Sequence, residues 1–521
     1  MRSFYVIMLL IFLSLSGPVS TLQAQQTAEI PPNPYKAPLY WSVYENHILK
    51  PDDGSNYITE AEFGANIDWV EANLKPYGYK MVAIDGWGDV SQYNQYGYRT
   101  SHSRHWEHDY AWWADELQSR GMNLGMYDNP LWVNMGAVDD GLRIKGTNLP
   151  LANIVDPDED TQWFTWVQVN RDGAEEYIKG YVEHYAQMGI TYLRVDFLSW
   201  FEDGYDKNIG DVGPDRPTAD YEKALRWMRE ECDEHGIFLS LVMPSLNNEA
   251  ELERRYGHMI RVNEDVLTGE WHRFSELKRG IRRNYWSQWA NAFDGYIYWS
   301  YIAGREKLIL DGDFIRLNTM ANDAEKKSVI SLHLVAGGPL SPADQYNTIG
   351  DDLWLYQNEE MLALNEDNFV GQPLTNDPND SRSQIWTGQM SNGDWIVALF
   401  NREDEPKQRS INFAEELGLE SGYVRDLWKH ENPGQMNSYT EDIPAHGVTV
   451  LKISSEEQAG LLPDTLYLAG SATSGGWDLL QQSPIPKMQN DTDRYQFRDS
   501  LTTGEFKIKM YSENDFCLGK W

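Results

Sequence analysis

Eleven residues, GITYLRVDFLS from Gly189 to Ser199, close one predicted helix on glycine and open a strand whose only carboxylate, Asp196, stands near its C-terminal end. An ionised Asp on a buried parallel strand has to be desolvated or partnered, and open barrels tolerate one at strand ends where catalysis happens. On this segment alone, an Asp tied to neighbouring amides is an equal reading. Asp85, Asp128 and Asp265 also fall at predicted strand ends, and one acidic strand tip is cheap to explain by folding where four are not. Arg194 precedes Asp196 by two residues and Arg261 precedes Asp265 by four. Both spacings put the arginine on the acid's face of an extended strand, where it either keeps the carboxylate ionised or makes an inter-strand ion pair. Glu264, next to Asp265, competes with it for the role of an acid.

The elements that must position these residues follow a repeating pattern of amphipathic helix, glycine and short apolar strand. Ile67, Val70 and Leu74 precede Gly78 and YKMVAID; Trp113 and Leu117 precede Gly121 and MNLGMYD. Ile178, Val182 and Tyr185 precede Gly189 and ITYLRVD; Tyr221, Leu225, Met228 and Cys232 precede Gly236 and IFLSLVM. Four such units argue for a parallel sheet with helical crossovers. Further strands expected at 38–44, 258–264, 294–300 and 331–336 bring the total to about eight. The expected fold class is therefore α/β, a (β/α)8 barrel over 35–375, preferred to a doubly wound sheet. From about 380 to 455 the texture changes to short alternating runs such as DWIVALFN and GVTVLKIS, separated by turn signals, which predicts an antiparallel β-sandwich domain. A third segment, 463–521, follows a short polar linker.

Composition narrows the function. A net charge of −36 disfavours nucleic acid, because nothing offsets repulsion from phosphates. The 21 Trp and 30 Tyr of so polar a chain suit sugar stacking as well as core packing. Residues 1–24 carry Arg2, an apolar stretch from Phe4 to Leu15 and a small-residue exit near Ala24, the pattern of a bacterial signal peptide, and predict a secreted or periplasmic protein. Nothing later approaches the roughly 20 apolar residues that span a bilayer. With two Cys, no disulfide framework is expected. No Gly-rich phosphate loop, nucleophile elbow or His-Glu-x-x-His occurs, so no cofactor is expected. Asp156, Asp158 and Asp160 begin like a calcium loop, but Thr161 and Val167 replace its turn Gly and closing Glu, and no metal is expected there.

Several of these segments together resemble glycoside hydrolase family 27, the melibiase-type α-galactosidases of clan D, over residues 36–453. APLYWSVY and GYKMVAIDGW are similar to the first two barrel strands, YLRVDF to the nucleophile strand and IRVNEDVLTGEW to the strand bearing the acid. LILDGDFIRL is similar to the family's Asp-Pro-Asp-Met stretch, and SNGDWIVALFNRE, VRDLW and IPAHGVTVLKI to its C-terminal β-domain. The resemblance implies retaining hydrolysis of an oligo- or polysaccharide. Asp196 would be the nucleophile and Asp265 the acid/base, with their carboxyls about 5–5.5 Å apart. It further implies that Tyr44, Asp85, Trp87, Tyr127, Arg194, Arg261 and Asp313 bind the sugar.

Departures from the family bear on which sugar. The α-galactosidases usually end the second strand in two adjacent Asp that clamp O4 and O6, where this chain has Asp85-Gly86. They usually place Lys where Arg194 stands, and Asn or Gly then Cys after the nucleophile, here Phe197-Leu198. The tail from 465 resembles β-sandwich modules of outer-membrane starch-binding proteins, with Trp477 and Trp521 as stacking candidates, and such a module normally continues further, so it is read as partial. The expected activity is hydrolysis of terminal α-galactosides. The alternatives are an α-glucan hydrolase of the isomalto-dextranase kind, which suits the tail better, and a catalytically inactive sugar-binding protein.

Overall fold

The computed structural model describes residues 30–50, 58–86, 88–89, 91–156, 163–202, 213–214, 216–266, 268–276 and 289–456, together with the backbone of five later strands. The expected signal peptide, Trp87, most of the acidic loop after Asp156, and the tail residues Trp477 and Trp521 lie outside the described residues.

Seven parallel strands follow one another round a sheet: β1 (Tyr40–Ser42), β2 (Met81–Ile84), β3 (Asn123–Tyr127), β4 (Ile190–Val195), β5 (Phe238–Leu241), β6 (Met259–Arg261) and β7 (Ile309–Asp311). Residues 340–343 close the ring. Tyr40 and Ser42 donate backbone N–H to Leu340 and Pro342 on one side, and Ile315 exchanges bonds with Ser341 and Ala343 on the other. The result is a (β/α)8 barrel with the C-terminal strand ends opening on one rim.

Local chemistry explains why the predicted helix–glycine–strand units form. Thr59 and Glu62 make a reciprocal capping box at the start of helix Glu60–Asn73, whose Phe63, Ile67 and Val70 are buried against the barrel. Helix Thr218–His235 ends on Gly236, whose φ of 68° lets the Ile237 amide turn back to Cys232 O. All four residues of β2 are buried, as a strand covered on both faces requires.

Two expected strands are helices. Residues 294–299 belong to helix Ala292–Trp299, capped by the Asn291 side chain on the Asp294 amide, and 331–336 fall largely in helix Asp323–Val335, capped by Asn322 on the Glu325 amide. Both runs are buried nearly all round, so no polar stripe marks a helical period. The strand positions fall after them in the chain, at β7 and at 340–343.

A six-stranded antiparallel sheet and a two-stranded ribbon (Lys407–Asn412 with Ser438–Ile443) form the β-sandwich that follows. Its strand Trp395–Phe400 is buried on both faces. Val397 and Leu399 pack with Ile411, Phe413 and Ile443 inside the sandwich, whereas Ile396, Ala398 and Phe400 join the barrel core. Arg402 reaches across to Asp294 at 2.9 Å and to Ser275 Oγ at 2.8 Å, tying the sandwich to the barrel. The tail contributes a five-stranded antiparallel sheet from Thr465–Ala469, Ser483–Met488, Asp491–Tyr495, Lys507–Ser512 and Asp515–Cys517. No helix among the described residues is long and apolar enough to cross a membrane.

Candidate active site

Asp196 follows β4 directly and is partly exposed. Tyr127 at the end of β3 donates its hydroxyl to Asp196 Oδ2 at 2.8 Å, and the Phe197 amide donates to Oδ1 at 2.7 Å. Asn129 fixes the backbone, donating from Nδ2 to the Asp196 carbonyl at 2.6 Å. Burial raises the carboxyl above its ordinary range, the Arg261 charge opposes that rise and the Asp265 charge adds to it. Both oxygens are thus oriented by short donors, leaving a carboxylate preset in direction.

Beneath it lies a network of acids and two guanidinium groups. Arg194, two residues back on the same face of β4, meets Asp85 Oδ2 at 3.3 Å, Asp311 Oδ2 at 2.6 Å and Asp313 Oδ1 at 3.2 Å. Arg261 donates to Asp313 Oδ1 at 3.1 Å and to Asp265. Asp313 accepts from both arginines on one oxygen and from the Val266 amide at 2.9 Å on the other, and is fully buried. The arginines are held by geometry as well as charge: Arg194 lies 4.8 Å over the Phe314 ring, which Tyr44 stacks against at 4.6 Å. Burial pushes Asp85 up to about 7, with Arg194 pulling the other way, and pushes Asp313 up to about 6 against the pull of Arg261 and Arg194. Near neutral pH, Asp85 is therefore divided between a hydrogen-bond donor and an acceptor.

The sequence reading left Asp265 and Glu264 in competition. Glu264 is buried, whereas the Asp265 side chain is 40% exposed and ion-paired to Arg261. Tyr44, Asp85, Tyr127, Arg194, Arg261, Asp265 and Asp313 come together with Asp196 at the strand ends, linked by the contacts above or by the charges that Tyr44 senses from Asp265, Asp313 and Asp85. Asp128 does not join them. It points outward, accepting from the hydroxyls of Tyr181 and Tyr185, with Arg99 at 3.7 Å.

Three contributors went unread in the sequence. Asp311 meets Arg194 as Asp313 does, and their i, i+2 spacing was a signal the sequence offered. Asn129 carried no signal. The third is His47, whose Nε2 lies 2.6 Å from the Asp85 carbonyl. Gly86 has a φ of 79°, and a Cβ there would stand 2.5 Å from that same nitrogen. The imidazole thus fills the space of any side chain at the position where α-galactosidases carry their second Asp.

Known proteins resemble this chain in sequence and fold. The isomalto-dextranase of Arthrobacter globiformis is 40% identical over 460 residues, covering 84% of this chain and 70% of that protein. The solved structure of the T6 isomalto-dextranase of the same organism, complexed with panose, superposes with a TM-score of 0.75 at 38% identity, covering 84% and 75% of the two chains. A family 27 β-L-arabinopyranosidase from Geobacillus stearothermophilus, in complex with arabinose, shares the fold with a TM-score of 0.65 at 19% identity, covering 81% of this chain and 98% of its own. The chain belongs to glycoside hydrolase family 27. Within it, residues 380–453 match the alpha galactosidase C-terminal beta sandwich domain. The resemblance to family 27 and the expected barrel followed by an antiparallel β-sandwich both hold.

Proposed function

We propose that this family 27 member is an exported retaining hydrolase of α-1,6-linked glucan of the dextran type, with Asp196 as nucleophile and Asp265 as acid/base. The observation that carries the glucan over the galactoside is the likeness to isomalto-dextranase, at 40% identity across 84% of the chain. The bare backbone at Gly86 under His47 supports it. A site that grips O4 and O6 with two carboxylates requires both hydroxyls free, whereas in a 1,6-linked glucan an internal unit carries the next sugar on O6.

In this reading, Asp196 attacks the anomeric carbon while Asp265 gives its proton to the departing glycosidic oxygen. The bond to the leaving oxygen breaks as the bond to the Asp196 carboxylate forms. Asp265 then takes a proton from water, whose oxygen displaces Asp196 and restores the anomeric configuration. Tyr127 and the Phe197 amide keep the attacking oxygens aimed. Arg261 places Asp265, and Arg194 places Asp85 to meet a ring hydroxyl. Groups fixed before the substrate arrives need no reorganisation in the transition state.

Product analysis tests the proposal. The mature protein incubated with dextran is expected to release isomaltose whose α-anomer appears first in the proton NMR spectrum. First appearance of the β-anomer would refute retention, and galactose release from a galactoside without any dextran product would return the reading to α-galactosidase. A protein that binds dextran yet never cleaves an α-glycoside would be the inactive binder.

A further inference from the structure

Phe197, the residue after Asp196, stands at φ 61° and ψ 27°, in the left-handed region. Its amide donates to Asp196 Oδ1. Glycine or asparagine adopts this conformation at low cost, while a bulky side chain brings Cβ against the carbonyl oxygen. The hydrogen bond to Asp196 uses the backbone N–H and not the ring, so the ring persists in this costly conformation for some other reason.

Its surroundings point to one. The Phe197 ring lies 4.5 Å from Trp200 and 5.5 Å from Trp132, which stacks on Phe164 at 4.1 Å and 28°. Trp132 is buried behind, whereas Phe164, Phe197 and Trp200 are each partly exposed. The antiparallel pair Trp132–Asn134 and Phe164–Trp166, inserted after β3, brings Trp132 and Phe164 to this place. We propose that Phe164, Phe197 and Trp200 form a stacking shelf for the glucosyl unit next to the one that Asp196 attacks on the leaving-group side, a proposal that rests on the α-glucan reading. The unit over Asp85 and Arg261 meets charged groups and is gripped by its hydroxyls. The shelf offers flat apolar faces, which bury the C–H face of a pyranose instead.

Phe197→Gly tests this, because glycine keeps the left-handed backbone and removes only the ring. Initial rates are measured on dextran and on isomaltosyl fluoride, whose leaving group is smaller than a sugar, alongside thermal unfolding. The expected result is an unchanged or higher midpoint of unfolding, with KM for dextran raised at least tenfold and the ratio of kcat/KM for dextran over fluoride lowered by a similar factor. Trp200→Ala, which leaves the Asp196 backbone untouched, should move the ratio the same way. An unaltered ratio in both variants, with the wild type active on dextran, would overturn the shelf. A wild type inactive on dextran would overturn the glucan reading and its glucosyl occupant together.

Discussion

Asp128 and Asp196 are the same residue at the same place on neighbouring strands, one step beyond the end of β3 and of β4, yet they have opposite surroundings. On β3 the inward residue is Tyr127, so Asp128 falls outward among Tyr181 and Tyr185 of helix Ala174–Gln187, beside Arg99. On β4 the inward residues are Arg194 and Asp196. One step of strand alternation decides whether a carboxylate holds the barrel to its helices or stands in the pocket. The outer acid is enclosed by partners, while the inner one has its oxygens aimed and remains partly exposed.

Mutation should separate the two. Asp196→Asn keeps the shape and removes the proposed nucleophile, and turnover of dextran should fall by about 10⁴-fold or more, roughly 5.5 kcal/mol of transition-state stabilisation, with an unchanged unfolding midpoint. Asp128→Ala should do the reverse. It leaves the buried Arg99 without its carboxylate, and urea unfolding should lose about 3–5 kcal/mol while turnover per folded molecule stays near that of the wild type.

Gly86 sharpens the pocket side. Gly86→Asp sets a side chain against the His47 ring at a positive φ, and the combined overpacking and strain should cost about 1–3 kcal/mol in stability and lower dextran cleavage without creating galactoside cleavage. Shortening the ring as well, in His47→Ala with Gly86→Asp, should recover much of that stability. Equal stability of the single and double variants would place the obstruction elsewhere.

A pH dependence of similar size comes last. Burial raises Asp85 to about 7 in the native state, so its contribution to stability is complete below the unfolded carboxyl value of about 4 and is lost as pH rises through about 7. Urea midpoints at about pH 4 and about pH 8 should therefore differ less in Asp85→Asn than in the wild type, by about 1–3 kcal/mol in unfolding free energy. Asp313, raised to about 6, leaves part of the wild-type slope in the variant.

What the sequence made legible was whatever a single face or spacing encodes. The four helix–glycine–strand units, the β-domain with its turn signals and the acids at strand ends all follow from local periodicity and turn chemistry. The runs 294–300 and 331–336 did not, because burial on nearly all sides erases the polar stripe that separates a helix from a strand. Asp128 misled for a related reason: its residue type and strand-end position match those of Asp196, and only the inward or outward parity of β3 distinguishes them. His47 was hidden because it meets Gly86 through the fold, from the short helix after β1, and its part in the pocket is a matter of volume.

The central claim is that Asp196 and its oriented neighbours cleave an α-1,6-glucan. The most direct measurement compares initial rates on dextran and on nitrophenyl α-galactoside for the wild type and Asp196→Asn. The account predicts isomaltose from dextran, no galactoside cleavage, and loss of the dextran activity in the variant. Galactoside turnover without dextran products, or dextran turnover that survives Asp196→Asn, would contradict it.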